Sequence, residues 1–554
     1  MNRFLLLFLF VTSAAYSQSV YVPLNRDYYH LLERYEIRSG KLSPHFHTTF
    51  RPYTREAVAL FADSLQRDTL PLSEADRFNL QYLQNDNWEW SEEADAESKR
   101  PLFNRLYRTQ TDFFHYTSDD FHFQVSPVFY FSGGRETASE ATNFINTRGA
   151  EMRGMINKKI GFYSLLTENQ MAPPLFVRQF VQQYDAVPGE GYYKLFKENG
   201  YDFLQARGYI TFNATKNIEL QFGHDRNFIG NGYRSLLLSD FSANYTFLKA
   251  STNVWRFNYT NLFAEMNGGR FFPQDHVYPK KYMALHHFSY NVTRNFNVGI
   301  FESVIIGRYD TLSPMHFDLN YLNPIIFYRA IEQHVGSPDN VKVGLDYKWN
   351  FLNHFSLYGQ LVLDEFYLKH LRARNGWWAN KYAIQQGVKY IDVAGIRNLD
   401  IQGEVNVVRP YMYAHFNRFT NYTHYNQAIA HPMGANFNEF IGIVRYQPTP
   451  RMNLTAKAFY VKFGADTAGS NWGGNIHLDY STFEQEFGNR IGQGVSTSLK
   501  MLSFNASYQL RHNLFIDLTH VYRKTDSELP QFDTSTHFTS LSVRLNLAQR
   551  LHEF

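Results

Sequence analysis

The sequence predicts an all-β membrane barrel of about 18 antiparallel strands, with a small N-terminal helical domain on its periplasmic side. Three observations predict it. From about His122 onward, apolar and polar residues alternate with the period of a strand. Tight turns alternate with long loops through that whole region, an asymmetry that a soluble sandwich with one wet face has no reason to keep. Aromatic residues make up 17% of the 554 positions, led by 50 Phe and 39 Tyr, yet mean hydropathy is only −0.42. A barrel reconciles the two values, because only every second residue meets lipid and rings gather at the two interfaces.

The N-terminal stretch "MNRFLLLFLFVTSAAYSQS" carries Arg3, an apolar run from Phe4 to Val11 and small residues before Gln18. It reads as a signal peptide over residues 1–17, with Ala15-Tyr16-Ser17 fitting the cleavage rule. The apolar run is too short for a membrane anchor, and no later stretch is long and apolar enough for a transmembrane helix.

Residues 18–100 read as a helical domain and a charged connector. Asn25 caps a first helix whose Tyr28, Leu31, Leu32 and Tyr35 share one face, and Gly40 follows its end. Thr54 caps a second, with Val58, Phe61, Ala62 and Leu65 on one face, and Ser73 caps a third. Each stripe needs a partner, so the helices are expected to pack together.

Residues 101–554 read as the barrel. In "NLDIQGEVNVV", Leu399, Ile401, Val405 and Val407 oppose Asp400, Gln402, Glu404 and Asn406; Leu541, Val543 and Leu545 likewise oppose Ser542 and Arg544. Tight turns are expected near Lys158, Lys216, Ser251, Arg294, Leu352, Arg397, Pro448 and His512. Long loops are expected around 171–201, 226–242, 265–280, 307–339, 366–379, 410–435 and 464–493. With turns facing the periplasm, the helical domain and the C-terminus are also expected there, and Phe554 fits the terminal aromatic that barrel-assembly machinery reads.

Several function classes are excluded. With 54 basic and 51 acidic residues and no long run of one sign, nucleic acid is not an expected partner. Cysteine is absent, which removes disulfides, thiolate metal sites and an acylated cysteine. No Gly-x-Ser-x-Gly elbow, His-Glu-x-x-His or acidic calcium loop occurs, so no enzyme, metal or cofactor is expected. His286 and His287 fall on opposite faces of one strand.

One stretch breaks the alternation: "FGHDRNFIGNGYRSLLLSDFS", Phe222 to Ser242. Gly230 and Gly232 permit positive φ around Asn231. Asp225, Arg226 and Arg234 suit only a wet lumen or a surface. Either they form an ion-pair lattice that plugs the lumen, or they touch a ligand. The stretch resembles the glycine-bearing loop of the Wzi family of capsule-assembly outer-membrane proteins: Phe222-Gly223, then Gly230-x-Gly232, Arg234, and Ser235-Leu-Leu-Leu-Ser239. "FDLNYLNPIIFYRAIEQHVG" resembles the family's Asn-Pro element, with Asn323-Pro324 and the helical run through Arg329 and Glu332. "VPLNRDYYHLLERYEIRSG" is similar to its periplasmic helical region. The gliding-motility branch, RemB, is the nearest in character.

The resemblance implies a Gram-negative outer-membrane protein that binds, retains or organises surface polysaccharide, in capsule assembly or in support of gliding. Its implied partners are that polysaccharide, outer-membrane lipid, the assembly machinery, and motility or secretion proteins. On that reading Asp225, Arg226, Asn227, Asn231, Arg234, Trp377, Trp378 and Trp472 are candidate glycan contacts, because sugars offer apolar faces to rings and hydroxyls to polar groups. Gly223, Gly230, Gly232, Ser235, Asn323, Pro324, Arg329 and Glu332 would shape the loops. The three tryptophans fit an interfacial girdle equally well. The rival functions are a porin and a surface component of a secretion or motility machine without glycan binding.

Overall fold

The computed structural model describes residues 19–68, 71–99, 101–103, 105–269, 278–307, 319–324, 327, 328, 330 and 339–554. The expected signal peptide, Arg329 and Glu332 lie outside the described residues.

Eighteen long antiparallel strands, from Phe121–Glu136 to Thr534–Leu545, form one closed ring. The last strand seals against the first through pairs such as Leu541↔Gly133 and Ser542↔Ser132. Closure pairs the strands edge to edge around the ring, except at Phe203 to Arg207, which has a partner strand on one side alone. The alternation behaves as read. Asp400, Gln402, Glu404 and Asn406 are buried toward the lumen, whereas Leu541 on the outer face is 57% exposed. Rings collect outside at the turn end, where Phe257 stacks on Tyr290 at 4.7 Å and Phe355 on Tyr390 at 4.4 Å.

Among the described residues, long loops and tight turns alternate between the strands as expected, with one displacement; most of the loop expected around 307–339 and part of that around 265–280 lie outside them. Ser251 lies inside the strand Tyr245–Val254, paired with Thr260 and Glu219, and the turn falls at Trp255-Arg256. Trp255 takes φ 54° there, an uncommon conformation for a bulky residue. Its ring packs 5.6 Å from Phe257 in the aromatic girdle, which offsets that cost.

Three N-terminal helices form at the predicted caps: α1 Arg26–Ser39 behind Asn25, α2 Arg55–Arg67 behind Thr54, and α3 Glu74–Asp86 behind Ser73 in a full capping box. Their apolar stripes meet in one core that includes Tyr28, Leu32, Tyr35, Val58, Phe61 and Leu83. Their charged faces dock into the turn-end mouth of the barrel. Glu33 is 2.5 Å from Lys389 and also meets Arg51, while Glu36 meets Lys348. Arg34 meets Asp400 and, at 2.5 Å, Asp392. Asp86 binds Arg55 at 2.9 Å and His512 at 3.2 Å.

The lumen is occupied. Phe50–Arg51, between the first two helices, pairs as a short antiparallel ladder with Phe228–Ile229 of the Phe222–Ser242 stretch. Leu236, Leu237 and Leu238 join Phe50, Met412, Tyr413 and Ile429 in a large apolar core inside the ring.

The segment after the last strand corrects the reading of Phe554. That strand stops at Leu545, and Asn546, at φ 55°, turns the chain into the lumen. Asn546–Phe554 then runs up the inside, an extended reach of at most about 30 Å. Glu553 meets Tyr233 and, at 2.6 Å, Lys457. Phe554 packs against Phe176 and Phe180 of helix α4, Leu175–Tyr184, and against Phe241. Phe554 is therefore a lumenal packing residue and does not end the closing strand.

Candidate functional site

The structure separates the candidate residues into two groups. The first is the Phe222–Ser242 stretch, which folds into the lumen. Wall side chains clamp its backbone. The Glu404 carboxylate accepts the Tyr233 and Arg234 N–H groups at 2.6 and 3.0 Å. The Gln385 amide donates to the Arg234 carbonyl, and Gln360 bridges the Ile229 carbonyl and the Leu236 N–H. Ser235 donates to the Ile229 carbonyl and accepts from Leu237 and Leu238, tying the turn to itself.

The two central glycines serve different needs. Gly230 takes φ 148°, and a Cβ there would sit 2.7 Å from Gln360 Nε2. Gly232 is not in the left-handed region that the sequence implied. A Cβ at Gly232 would lie 2.7 Å from both Gln385 Oε1 and Glu404 Oε2, so close approach to the clamp is what requires glycine. Gly223 belongs to the strand Ile218–Asp225, where its missing side chain makes room for Tyr209.

The polar candidates of this stretch have internal partners. Arg234 is 6% exposed, pairs with Glu439 at 3.3 Å and reaches the Glu553 carbonyl. Burial opposes ionisation of Glu553, but Lys457 and Arg26 outweigh it and hold the carboxyl below its ordinary range. The Asn231 amide donates to Thr49 and accepts from Thr48, and its carbonyl accepts from Lys389. Asn227 donates to the Tyr245 hydroxyl. Asp225 faces Arg207 at 3.8 Å, and Arg226 donates to the Asp240 carbonyl at 2.8 Å.

The second group lies at the loop end. The loop after Leu363, with its short helix α5, Leu368–Ala373, is locked to the loop between Ala465 and Val495. The Trp378 N–H donates to the Glu486 carbonyl, and Asn489 and Gly376 bond through backbone groups at 2.9 Å. Arg409 binds the carbonyls of Trp377, Asn380 and Asn489, so one guanidinium fixes both loops. The Trp378 ring stacks on Phe483 at 4.6 Å. Trp377 stacks on His370 at 4.5 Å, with Tyr367 and Phe487 beside them. Tyr367 is 62% exposed, and Lys369, Arg372 and Arg374 stand exposed on the same loop. Trp472, half-buried on the second loop, donates its N–H to Asp466 at 2.5 Å. The tryptophans thus form loop contacts and do not belong to the turn-end girdle. Asn323 and Pro324 are exposed, and the Pro324 carbonyl accepts from Tyr259.

No family model and no curated protein matches the chain. Among solved structures, the chain is similar to Wzi of Escherichia coli, described as an outer-membrane protein involved in group 1 capsule assembly and a carbohydrate-binding β-barrel. The match covers 96% of this chain and 100% of that one at TM-score 0.58 and 13% identity. It shows a shared fold. OprD of Pseudomonas aeruginosa aligns over 76% of this chain and 94% of its own at TM-score 0.43 and 8% identity.

Sequence reasoning did not single out Tyr367, His370 and Phe487, because nothing local distinguishes a loop ring from a girdle ring. It also missed Glu404, Gln385 and Gln360. Their inward parity was legible, but their partner lies more than a hundred residues away.

Proposed function

We propose that the chain is a non-catalytic outer-membrane barrel of a Gram-negative bacterium whose loop-end surface binds and retains surface polysaccharide. The observation that carries this reading is the ring cluster of half-buried His370 and Trp377 with exposed Tyr367 and Phe487, on a loop that also exposes Lys369, Arg372 and Arg374. Ring faces cover the apolar faces of sugars, and the flanking cations reach hydroxyl and acidic groups. Trp378 holds the two loops in register, and Trp472 braces the second loop. The Wzi-like architecture supports the reading, with the helical region and turns in the periplasm. Capsule assembly and gliding both need such retention, and motility or secretion proteins would be its neighbours.

The test replaces Trp377 and Phe487 with Ala and compares retained with shed surface polysaccharide. Loss of two ring contacts should weaken binding roughly tenfold or more, with the protein still assembled as a heat-modifiable barrel. Unchanged retention by an assembled variant would reject the surface as the binding site.

A further inference from the structure

The barrel wall has a gap near its loop end. The strand Gly200–Thr215 pairs with Ile218–Asp225 only from Gly208↔His224 downward. Above, the short strand Lys194–Phe196 covers Gly200 to Asp202. Between them Phe203 to Arg207 has a partner strand on one side alone, the Ile160–Ala172 strand. That leaves a window about 17 Å long at the usual rise per residue. Asn244 reaches across it with a 3.5 Å bond to the Ala206 carbonyl.

A cavity of about 410 Å³ fills the window, lined by Glu190, Tyr192, Lys194, Gln205 and His224 among others. A second, of about 270 Å³, lies inside and shares Glu190 and Gln205 with the first. Together they fall in the range of small-ligand sites, roughly 300–1,000 Å³.

Six arginines line the inner cavity, and three of them come from separate parts of the chain: Arg207 of the wall, Arg226 of the lumenal loop and Arg550 of the Asn546–Phe554 segment. Arg207 has Asp225 at 3.8 Å, beyond hydrogen-bonding distance. Arg226 binds the backbone carbonyls of Asp240 and Ser242, and Arg550 binds the Asn169 amide oxygen. Among the described residues neither has a carboxylate within 4.0 Å. The buried Nε atoms of Arg207 and Arg226 have no hydrogen-bond partner. Of the acids lining the cavity, Asp86 meets Arg55 and Asp240 meets Arg26 at 3.6 Å, while Glu190 and Glu151 have neutral partners, Gln205 at 2.8 Å and Tyr163 at 3.4 Å. Burial, reinforced by Arg207, lowers the Arg226 pKa and outweighs the opposing pull of Glu190, Asp240 and Asp225.

We propose that this paired cavity is a subsite for the carboxylate of an acidic sugar unit. The sugar enters through the window between Phe203 and Asn244, and Arg226 and Arg550 hold its carboxylate with Arg207 behind them. Guanidinium forks match carboxylates in two-point geometry, which favours an acid over a hydroxyl at this position. The inference rests on the polysaccharide reading and adds the class of sugar.

The test uses purified full-length protein and two probes: a tetrasaccharide of alternating glucuronate and N-acetylglucosamine, and the same molecule with its carboxyls reduced to alcohols. The acidic probe should bind at least about tenfold more tightly. The double variant Arg226→Gln, Arg550→Gln, checked for heat-modifiable migration, should bind the two equally. If the wild type does not discriminate, or the folded variant still does, the acid subsite is overturned while the polysaccharide reading stands. If neither probe binds and the Trp377 and Phe487 variant retains polysaccharide normally, both fall.

Discussion

Gly230 and Gly232 use a missing Cβ in two ways, and substitution should expose both. Valine at Gly230 must adopt φ 148° and displace Gln360, whereas valine at Gly232 collides with the Glu404 and Gln385 clamp. Each change is expected to cost roughly 1–3 kcal/mol, read as a lower urea midpoint for loss of the heat-modifiable form. Arg234→Ala should cost a similar amount, roughly 1–3 kcal/mol, because Glu439 would lose its guanidinium while keeping His431 at 2.6 Å and Asn406 at 2.9 Å. An Arg234→Ala midpoint equal to wild type would mean that the pair is hydrated. At this scale the sequence marked the right residues for a loop that breaks the strand pattern. What it could not mark was the reason for each. A glycine needed for φ and one needed for close approach look alike until the neighbour 172 positions away, Glu404, is in place beside Gly232.

The helical plug shows the same limit at the scale of elements. Asn25, Thr54 and Ser73 are local signals, and all three caps formed where they were read. Docking is not a local signal. Glu33 and Lys389 come from regions whose charges, taken alone, read as solvated faces. Burial opposes ionisation of Glu33 and Asp86. Yet Lys389 and Arg51 at the first, and Arg55 and His512 at the second, pull both carboxyls far below their ordinary range. Because the folded values are depressed, this stabilisation is complete above the unfolded carboxyl range near 4. It fades as pH falls from there toward the folded values. The cysteine-free chain permits a direct measurement with spin labels at Lys41→Cys and Leu352→Cys, next to Gly40 and Asn353, which already touch. The label distance should be short and narrow at pH 7 and broad only at about pH 2, where most of this stabilisation is lost. A narrow distribution at both values would show that apolar packing alone holds the plug.

Across the whole molecule, inward polar residues were legible as a lumenal face, but that pattern is the same for a water-filled pore and for a packed interior. The structure packs it with four separate segments, residues 19–55, 226–242, 411–430 and 546–554. Purified protein should therefore show little steady conductance in planar bilayers; a large, unblocked conductance would require the contents to leave the lumen. Orientation has its own test. A tag inserted at Gly469, where the loop is open, should be labelled on intact cells, and one at Lys158 in a tight turn should not. The opposite pattern would invert the barrel.

The inward turn at Asn546 gives assembly an order in time. Thr534–Leu545 is the strand that seals the ring, and the chain on its far side is already committed to the interior, held at Glu553 and Phe554. The strand it seals against, Phe121–Glu136, follows a segment that is likewise inside, at Phe50–Arg51. Both sides of the seam carry cargo for the lumen, so loading the vessel as an open sheet and shutting it last would spare that cargo a passage into a closed ring. A nascent sheet that zipped early would strand its own contents outside, which makes slow closure an advantage to this chain.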